Sequence, residues 1–271
     1  MFYRNESDEF MSHFKYYGQL VKHFGIFRGF FYHLASKFNF RLVMEANICG
    51  QKIYVRTNSR DFQIALSNLV EGEFEELPIH HIEEHNGIIV DAGGYIGTSA
   101  IALSRLFPNK SIVCIEPDGG NYTLLQRNTR KFPNVFLING ALASSDTKST
   151  MLYNRTSEYG YTIVNDPLDN LLAKPHGLVD CIGISEIVFK KFDSEISLLK
   201  MDIEGGEVAV LLECSSWINQ IYCIYVELHD RIDTRCTSVF LEATSRMYSW
   251  PTKSEKVCRT REFIIGDELS V

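Results

Sequence analysis

This sequence lacks the features that mark several large classes of protein. Its seven cysteines include no C-x-x-C pair and no cluster with metal-ligand spacing. No apolar run approaches the length needed to span a bilayer. The formal net charge is −7, whereas nucleic-acid binders normally carry a basic footprint. We therefore expect no disulfide framework, no cysteine-rich metal module, no membrane span and no nucleic-acid partner.

The N-terminal residues and the positions of the cysteines predict the compartment. The first residues, Met1 to Glu9, are polar and acidic and do not resemble a signal peptide. Cys114 and Cys223 lie inside apolar, strand-like runs, where they are typical of reduced core thiols. We predict a cytoplasmic protein. With 271 residues and 45% hydrophobic content, the chain is long enough for one full domain with an appendage.

Acidic residues are missing from one long segment, between Met11 and Met44. It carries five basic residues, which are Lys15, Lys22, Arg28, Lys37 and Arg41. Six apolar residues recur there at steps of four and three, which are Leu20, Phe24, Phe27, Phe31, Leu34 and Phe38. This spacing predicts one amphipathic helix, which Gly25 and Gly29 weaken. We expect its stripe to pack on the domain or on a second copy, giving a homodimer; contact with an anionic membrane surface is the alternative.

The remaining chain alternates between strand-like and helix-like segments. Predicted strands are Gln51–Arg56, Ile88–Val90, Ile112–Ile115, Val135–Asn139, Leu198–Met201 and Ile221–Leu228. Predicted helices are Asp61–Val70, Thr98–Leu106, Asn121–Phe132 and Glu207–Leu212. The pattern is that of a doubly wound, Rossmann-like α/β sheet. We divide the chain into an N-terminal helical segment, residues 1–50, and a domain, residues 51–271. An insertion at about 146–194, with short β-like pieces at 150–153 and 161–164, would cover a substrate.

A ligand site is predicted where the strands Ile88–Val90 and Ile112–Ile115 end. The first runs into Asp91 and the glycines Gly93, Gly94 and Gly97, after which a helix begins. Glycines at such a turn let the backbone approach a ligand closely. The second strand ends at Glu116, a carboxylate able to accept both hydroxyls of a ribose. Together they predict a nucleoside-containing cofactor.

The glycine turn alone does not identify that cofactor. Ala92, Gly94 and Gly97 loosely satisfy the dinucleotide fingerprint, with Glu116 near its acidic position. The acid directly before the glycines favours S-adenosylmethionine instead, because Asp91 could contact the ammonium of its amino-acid end. Asp91 could also simply cap the turn.

A second group of titratable residues lies at the ends of the predicted strands Leu198–Met201 and Ile221–Leu228. Asp202 and Glu204 come directly after the first of these strands, and Glu227 and His229 lie at the end of the second. Since ligands bind at the carboxyl ends of strands in open α/β sheets, these groups are candidate general bases beside the cofactor. Glu207, in the first turn of the following helix, is interpreted as structural. A metal site of Asp202, Glu204 and His229 is the less favoured alternative, because no ligand spacing demands one.

These motifs resemble those of the FkbM-type methyltransferases, which depend on S-adenosylmethionine. The matching pieces are Val90–Gly97, Glu116-Pro117 with Asn121, Asn139–Leu142, Leu199–Glu207 and Val226–His229, within a resemblance covering about residues 53–230. Gly94 departs from the alanine or asparagine usual in the family, and we expect it to loosen the turn without preventing binding. The chain before Met44 and after Asp230 carries little of the family pattern.

The resemblance implies a Rossmann-like class I methyltransferase sheet and O-methylation of a hydroxyl, often on a sugar or a polyketide-type product. It implies cofactor contacts from Asp91, Gly93, Tyr95, Gly97, Glu116, Asn121 and Asn139. It leaves four candidates for the base and for substrate orientation, namely Asp202, Glu204, Glu227 and His229. An acceptor hydroxyl is a poor nucleophile, so one of these groups must accept its proton.

Two other classes of function remain open at this point. The same glycine turn could serve an NAD(P)-dependent oxidoreductase, although no hydride-transfer acid or second catalytic domain is evident. The sheet could also belong to a binding module without catalysis, since fold alone never proves activity.

Overall fold

The structure, a computed structural model, describes residues 6–145, 148–153, 161–162 and 174–262. The chain divides into two compact units, Met1–Glu71 and Gly72–Val271. The boundary lies beyond residue 50 because strand β1 (Val43–Ile48) pairs antiparallel with β2 (Gln51–Arg56) inside the first unit.

The first unit combines three helices with this hairpin. Helices α1 (Glu6–Phe24), α2 (Ile26–Lys37) and α3 (Asp61–Leu69) surround a core of aromatic rings. The ring of Phe62 lies 5.2 Å from that of Phe24 and 5.9 Å from that of Tyr32. A buried ion pair, Arg56 Nε to Asp61 Oδ2 at 2.8 Å, ties the end of β2 to the start of α3.

The prediction of one amphipathic helix from Leu20 to Phe38 is wrong. The helix ends at Phe24, and Gly25 (φ 80°) separates it from α2. Leu20 and Phe24 are buried, whereas the four stripe residues on and after α2 are exposed, with Phe27 at 89%. These four side chains therefore do not belong to the core of the first unit. α2 instead buries Gly29, Tyr32 and Ala35.

Gly29 explains how α2 packs against α1. A Cβ at this position would lie 2.9 Å from the backbone oxygen of Leu20, so the two helices approach more closely than any larger residue allows. Close packing through a glycine leaves the large aromatic side chains of α2 on its outer face.

The second unit contains a seven-stranded sheet in the order β12–β13–β11–β10–β3–β4–β5. Its strands are β3 (Ile88–Ala92), β4 (Ile112–Glu116), β5 (Val135–Asn139), β10 (Ile196–Met201), β11 (Ile221–Val226), β12 (Tyr248–Trp250) and β13 (Val257–Thr260). The five from β11 to β5 are parallel, and β13 runs antiparallel between β11 and β12. Every residue of β3, β4, β10 and β11 is buried, as expected for strands covered on both faces.

Helices α4 (Ile79–Glu84), α5 (Thr98–Leu106), α6 (Gly119–Thr129), α7 (Glu207–Leu212) and α8 (Cys236–Ala243) complete this unit. The chain passes from β3 to β4 and β5 on one side, whereas β10 and β11 lie on the other. The strand order therefore reverses between β3 and β10, the position at which doubly wound sheets bind ligands. The predicted Rossmann-like, doubly wound fold is confirmed.

Part of the predicted insertion forms a second sheet. Its strands are β6 (Ala141–Ala143), β7 (Lys148–Tyr153), β8 (Tyr161–Thr162) and β9 (Lys174–Gly183), in the order β6–β9–β7–β8. A π-helical segment, Glu186–Phe192, leads from it to β10. The predicted β-like pieces fall on β7 and β8, except for residues 163–164, which lie outside the described residues.

The cysteines and the helices bear on two further expectations. All seven cysteines are free thiols, and Cys114 and Cys223 are buried in strands as predicted. Within the ranges that the structure describes, no helix has both the length and the apolar character needed to cross a bilayer.

Candidate active site

The glycine turn after β3 lies directly against the end of β10. Gly93 has φ 82°, and a Cβ there would come within 1.9 Å of the backbone oxygen of Asp202. Only glycine fits both the conformation and the contact. The backbone N–H of Tyr95, itself at φ 50°, donates to Oε2 of Glu116 at 2.8 Å. The turn thus joins the ends of three adjacent strands.

Gly94 does not loosen this turn, contrary to our expectation. A Cβ on Gly94 would lie 2.2 Å from Sγ of Cys114 and 3.0 Å from Cδ1 of Leu125. These neighbouring side chains fill the space that a Cβ would occupy. The turn is therefore tightly packed although its residue departs from the family pattern.

Glu116 is a buried carboxylate with most of its hydrogen-bonding capacity used. It is 4% exposed, and Oε1 accepts from the N–H of Asp118 (3.0 Å) and from Nδ2 of Asn121 (3.1 Å). Burial raises the pKa of Glu116 to about 7, although these donors and Tyr95 oppose the shift. Since a carboxylate accepts about four hydrogen bonds, one acceptor position remains, on Oε2. The binding of ribose hydroxyls by Glu116 stays a prediction, with this one position left to accept from them.

The two asparagines predicted to bind cofactor both support the segment around Glu116. Asn121 is buried and donates to the Glu116 side chain. Asn139 Nδ2 donates to the backbone oxygens of Glu116 (2.8 Å) and Pro117 (3.2 Å). Strand β9 also reaches this region, because His176 Nε2 lies 3.0 Å from Oδ2 of Asp118. The insertion therefore borders the predicted nucleoside position.

Asp91 is fully buried and engaged within the protein. Its Oδ1 lies 3.2 Å from Nζ of Lys200, and its Oδ2 accepts from Oγ of Ser99 at 2.7 Å. Lys200 Nζ also donates to the backbone oxygen of Gly93 at 2.9 Å. Asp91 thus anchors the glycine turn through Lys200, and its contact with a cofactor ammonium stays a prediction.

Lys200 is a site residue that our sequence reasoning missed. Burial lowers the pKa of Lys200, but the charges of Asp91, Asp202 and Glu73 outweigh this and raise it above its ordinary value. The lysine is therefore charged beneath the turn. A single lysine within the apolar run of β10 was the signal available in the sequence.

The structure brings the four candidate catalytic residues together around one imidazole. His229 is 1% exposed, and its Nε2 lies 3.7 Å from Oδ1 of Asp202, 3.8 Å from Oε2 of Glu204 and 3.6 Å from Oε1 of Glu227. The ends of β10 and β11 are adjacent in the sheet, since the N–H of Glu227 donates to the backbone oxygen of Met201. We call these four residues the acidic cluster.

Glu207 holds the other nitrogen of this imidazole. Its buried Oε1 lies 2.9 Å from Nδ1 of His229 and also accepts from the N–H of Ile203 at 3.2 Å. Burial lowers the pKa of His229, but the hydrogen bond and charge of Glu207, with the charges of Glu204 and Asp202, raise it to about 9. An imidazole that is protonated at neutral pH cannot accept a proton, so in this state the carboxylates are the available bases. Glu207 was predicted to be structural, and in the structure it positions His229.

The three carboxylates of the cluster have different surroundings. Burial raises the pKa of Asp202, but Lys200 and Lys256 lower it to below its ordinary value overall. Glu204 forms an ion pair with Arg231 at 2.8 Å, and burial raises its pKa. Burial and the charge of Asp202 raise the pKa of Glu227, whose side chain is 37% exposed. Glu227 is therefore the most accessible member.

Comparison with known proteins identifies the family of this chain. A model of the methyltransferase FkbM domain matches residues 91–250, which include both halves of the site. The chain belongs to the FkbM methyltransferase family. The resemblance seen in the sequence motifs is confirmed. "Methyltransferase 1" of Beauveria bassiana (strain ARSEF 2860) is 27% identical over 165 residues, which cover 54% of this FkbM family member. The match spans 66% of that relative, slightly less than two thirds of its length.

Solved structures of methyltransferases resemble this FkbM family member only distantly. A putative O-methyltransferase from Klebsiella pneumoniae is 12% identical with a TM-score of 0.43, covering 73% of this chain and 88% of that one. Aeropyrum pernix fibrillarin, solved with S-adenosyl-L-methionine, is 11% identical with a TM-score of 0.40, covering 80% and 82%. At TM-scores this low, neither likeness assigns a substrate or a site residue to the chain.

Proposed function

We propose that this protein transfers a methyl group from S-adenosylmethionine to a hydroxyl of a sugar, a glycan or a glycosylated small molecule. The observation that carries the proposal is the adjacency of two sites at the reversal of strand order. The turn at Gly93 and the buried Glu116 form the first site, and the acidic cluster forms the second. They adjoin at the contact between Gly93 and Asp202.

The residues of the first site fit this cofactor. Glu116 offers one free acceptor position for a ribose hydroxyl, and the backbone around Gly93 has no Cβ in the way. When bound, S-adenosylmethionine supplies a methyl group on a positively charged sulfur. The match to the methyltransferase FkbM model supports this cofactor over NAD(P).

The acidic cluster fits a hydroxyl acceptor. Its carboxylates accept hydrogen bonds from sugar hydroxyls and hold one of them in place, and positioning is the largest contribution available to an in-line displacement. S-adenosylmethionine, held at the Gly93 turn, would supply the methyl group, with S-adenosylhomocysteine as the leaving group, and the acidic cluster would orient the acceptor oxygen. The hydroxyl proton passes to Asp202, Glu204 or Glu227.

The base assignment can be tested with isotopically labelled methyl donor and a panel of glycosides as acceptors. We expect one of the changes Asp202→Asn, Glu204→Gln or Glu227→Gln to lower turnover by about 10²- to 10⁴-fold, the usual contribution of a general base. The affinity for S-adenosylhomocysteine should stay within a few-fold of wild type. Glu213→Gln removes one exposed negative charge outside the site and serves as the matched control.

Two outcomes would contradict this assignment. If all three variants turn over glycosides within a few-fold of wild type, the cluster holds no base. If labelled methyl groups reach only amines or thiols in an extended acceptor panel, the acceptor is not a hydroxyl.

A further inference from the structure

The buried nitrogen Nε2 of His229 lacks a partner. No described residue forms a hydrogen bond with it, although His229 is 1% exposed. Three carboxylate oxygens face it from 3.6 to 3.8 Å, too far for hydrogen bonds. A buried polar atom without a partner is costly, and one surrounded by carboxylates points to a missing cation.

We propose that Oδ1 of Asp202, Oε1 of Glu227 and Nε2 of His229 bind a divalent cation. One ligand atom from each of these three residues lies within 4.8 Å of those of the other two. Ligands about 2.1 Å from an ion lie roughly 3–3.5 Å apart, so small side-chain movements would close the site. Two carboxylates and one imidazole suit hard or borderline cations such as Mg²⁺, Mn²⁺ or Zn²⁺.

The surroundings of these ligands are those of a metal site. Glu207, at 2.9 Å from Nδ1 of His229, favours a proton on that nitrogen. A cation that displaces the other proton of the imidazolium would then meet the lone pair of Nε2 facing the carboxylates. Metal-binding histidines commonly have such a carboxylate behind them. Lys256 lies 3.7 Å from the other oxygen of Glu227, Oε2, and leaves Oε1 facing His229.

This inference deepens the proposed function and rests on it for the role of the cation. Three protein ligands leave coordination positions open, as in catalytic metal sites. An acceptor hydroxyl that binds there is oriented, and its proton becomes easier to remove. Glu204, paired with Arg231 and outside the ligand set, is then the carboxylate left to accept that proton.

The site can be tested by titrating chelator-treated protein with Mn²⁺ and measuring free Mn²⁺ by electron paramagnetic resonance. We expect one saturable site in wild type. Asp202→Asn and Glu227→Gln should each weaken Mn²⁺ binding at least about tenfold. Loss of a residue that only hydrogen-bonds to a metal ligand already lowers metal affinity about 10- to 100-fold. Glu213→Gln should bind as wild type, and circular dichroism establishes that each variant is folded.

The cation proposal is overturned if wild-type protein shows no saturable binding of Mn²⁺, Mg²⁺ or Zn²⁺, or if Glu213→Gln loses as much affinity as Glu227→Gln. Failure of the proposed function looks different. In that case Mn²⁺ binds, but S-adenosylhomocysteine does not. Methyl transfer that is unchanged after chelation would uphold the function and contradict the role of the cation.

An independent observation concerns the outer face of α2 and the residues after it. Nine large apolar side chains there are at least 37% exposed, namely Ile26, Phe27, Phe30, Phe31, Leu34, Phe38, Phe40, Leu42 and Val43. Only six others of this kind occur among the described residues, scattered between Val70 and Tyr248. We call the nine residues the aromatic patch. Exposed apolar surface concentrated in this way marks an interaction site.

The positive charge around the aromatic patch favours an anionic partner. All five basic residues between Met11 and Met44 are exposed, and the segment has no acid. We infer that the patch inserts into the interface of an anionic lipid membrane, with the basic residues at the headgroups. A second copy is the poorer occupant, because a symmetric contact would bring two basic segments together.

Flotation of the full chain with vesicles tests this inference. We expect recovery with vesicles of phosphatidylcholine and phosphatidylserine, low recovery with phosphatidylcholine alone, and loss of binding at high salt. Phe27→Ser combined with Phe31→Ser should lower recovery several-fold, since both side chains are exposed and their loss leaves the core intact. Leu241→Ser, an exposed apolar residue on α8, is the matched control.

Light scattering without lipid tests the alternative, that a second copy of the chain covers the aromatic patch. A monomer supports the membrane inference. A dimer that the double variant dissociates would show that a second copy covers the patch, and equal recovery of wild type and double variant would also overturn the inference.

Discussion

The pKa of Glu116 predicts how the affinity for the proposed cofactor depends on pH. Burial raises the pKa of this carboxyl to about 7, so an appreciable fraction is neutral at physiological pH. The ionised form accepts stronger, charge-assisted hydrogen bonds from ribose hydroxyls. Since this form predominates only above pH 7, we expect the affinity for a ribose-containing ligand to rise with pH if Glu116 binds the ribose as proposed.

Asp91 and Lys200 show what a sequence reveals about single residues. The carboxylate before the glycines suggested a direct ligand contact, yet its partner is a lysine more than a hundred residues further along the chain. Parallel pairing of β3 with β10 places Asp91 opposite Lys200. This neighbour relation depends on the lateral strand order, which local patterns do not contain.

At the scale of elements, the interpretation of the N-terminal helix failed because a helical period does not show where a helix breaks. The six stripe residues keep the period across Gly25, but its left-handed conformation (φ 80°) starts a second helix with another direction. Leu20 and Phe24 face the core of the first unit, and the residues from Phe27 onward do not. The period is therefore shared by two helices with different partners.

The contact between α1 and α2 gives a prediction about stability. Gly29→Ala should destabilise the first unit by about 1–3 kcal/mol, because its Cβ would lie 2.9 Å from the backbone oxygen of Leu20. Gly18→Ala in α1 is the matched control. No atom lies within 4 Å of the Cβ position at Gly18, so alanine there should be stabilising by about 0.5–1 kcal/mol.

Chemical denaturation of both variants measures these two free energies of unfolding. Equal stability of Gly29→Ala and wild type would contradict the close packing of α2 on α1.

For the molecule as a whole, much of the second unit could be predicted from sequence. Each central strand is an apolar run ended by a polar residue, and β5 and α7 have the predicted bounds. The convergence of Asp202 and His229 followed from the rule that parallel strands end at one edge. Strands β12 and β13, at one end of the sheet, were missed, because they are three and four residues long and only partly buried.

The details of the site were less accessible to sequence reasoning. The orphaned Nε2 of His229 and the hydrogen bonds that use most of Glu116 depend on atomic positions. No spacing in the chain indicated a metal, since the proposed ligands come from two different strand ends.

The central claim, that this FkbM family member binds S-adenosylmethionine at the Gly93 turn, is tested most directly by calorimetric titration with S-adenosylhomocysteine. We predict one site in wild type, with affinity rising up to about tenfold from about pH 6 to about pH 8 as Glu116 ionises. Folded Glu116→Ala should bind ten- to a hundred-fold more weakly, a loss of about 1.5–3 kcal/mol, without this pH dependence. NADPH should not bind. Saturable binding of NADPH but not of S-adenosylhomocysteine, or wild-type affinity in folded Glu116→Ala, would contradict the account.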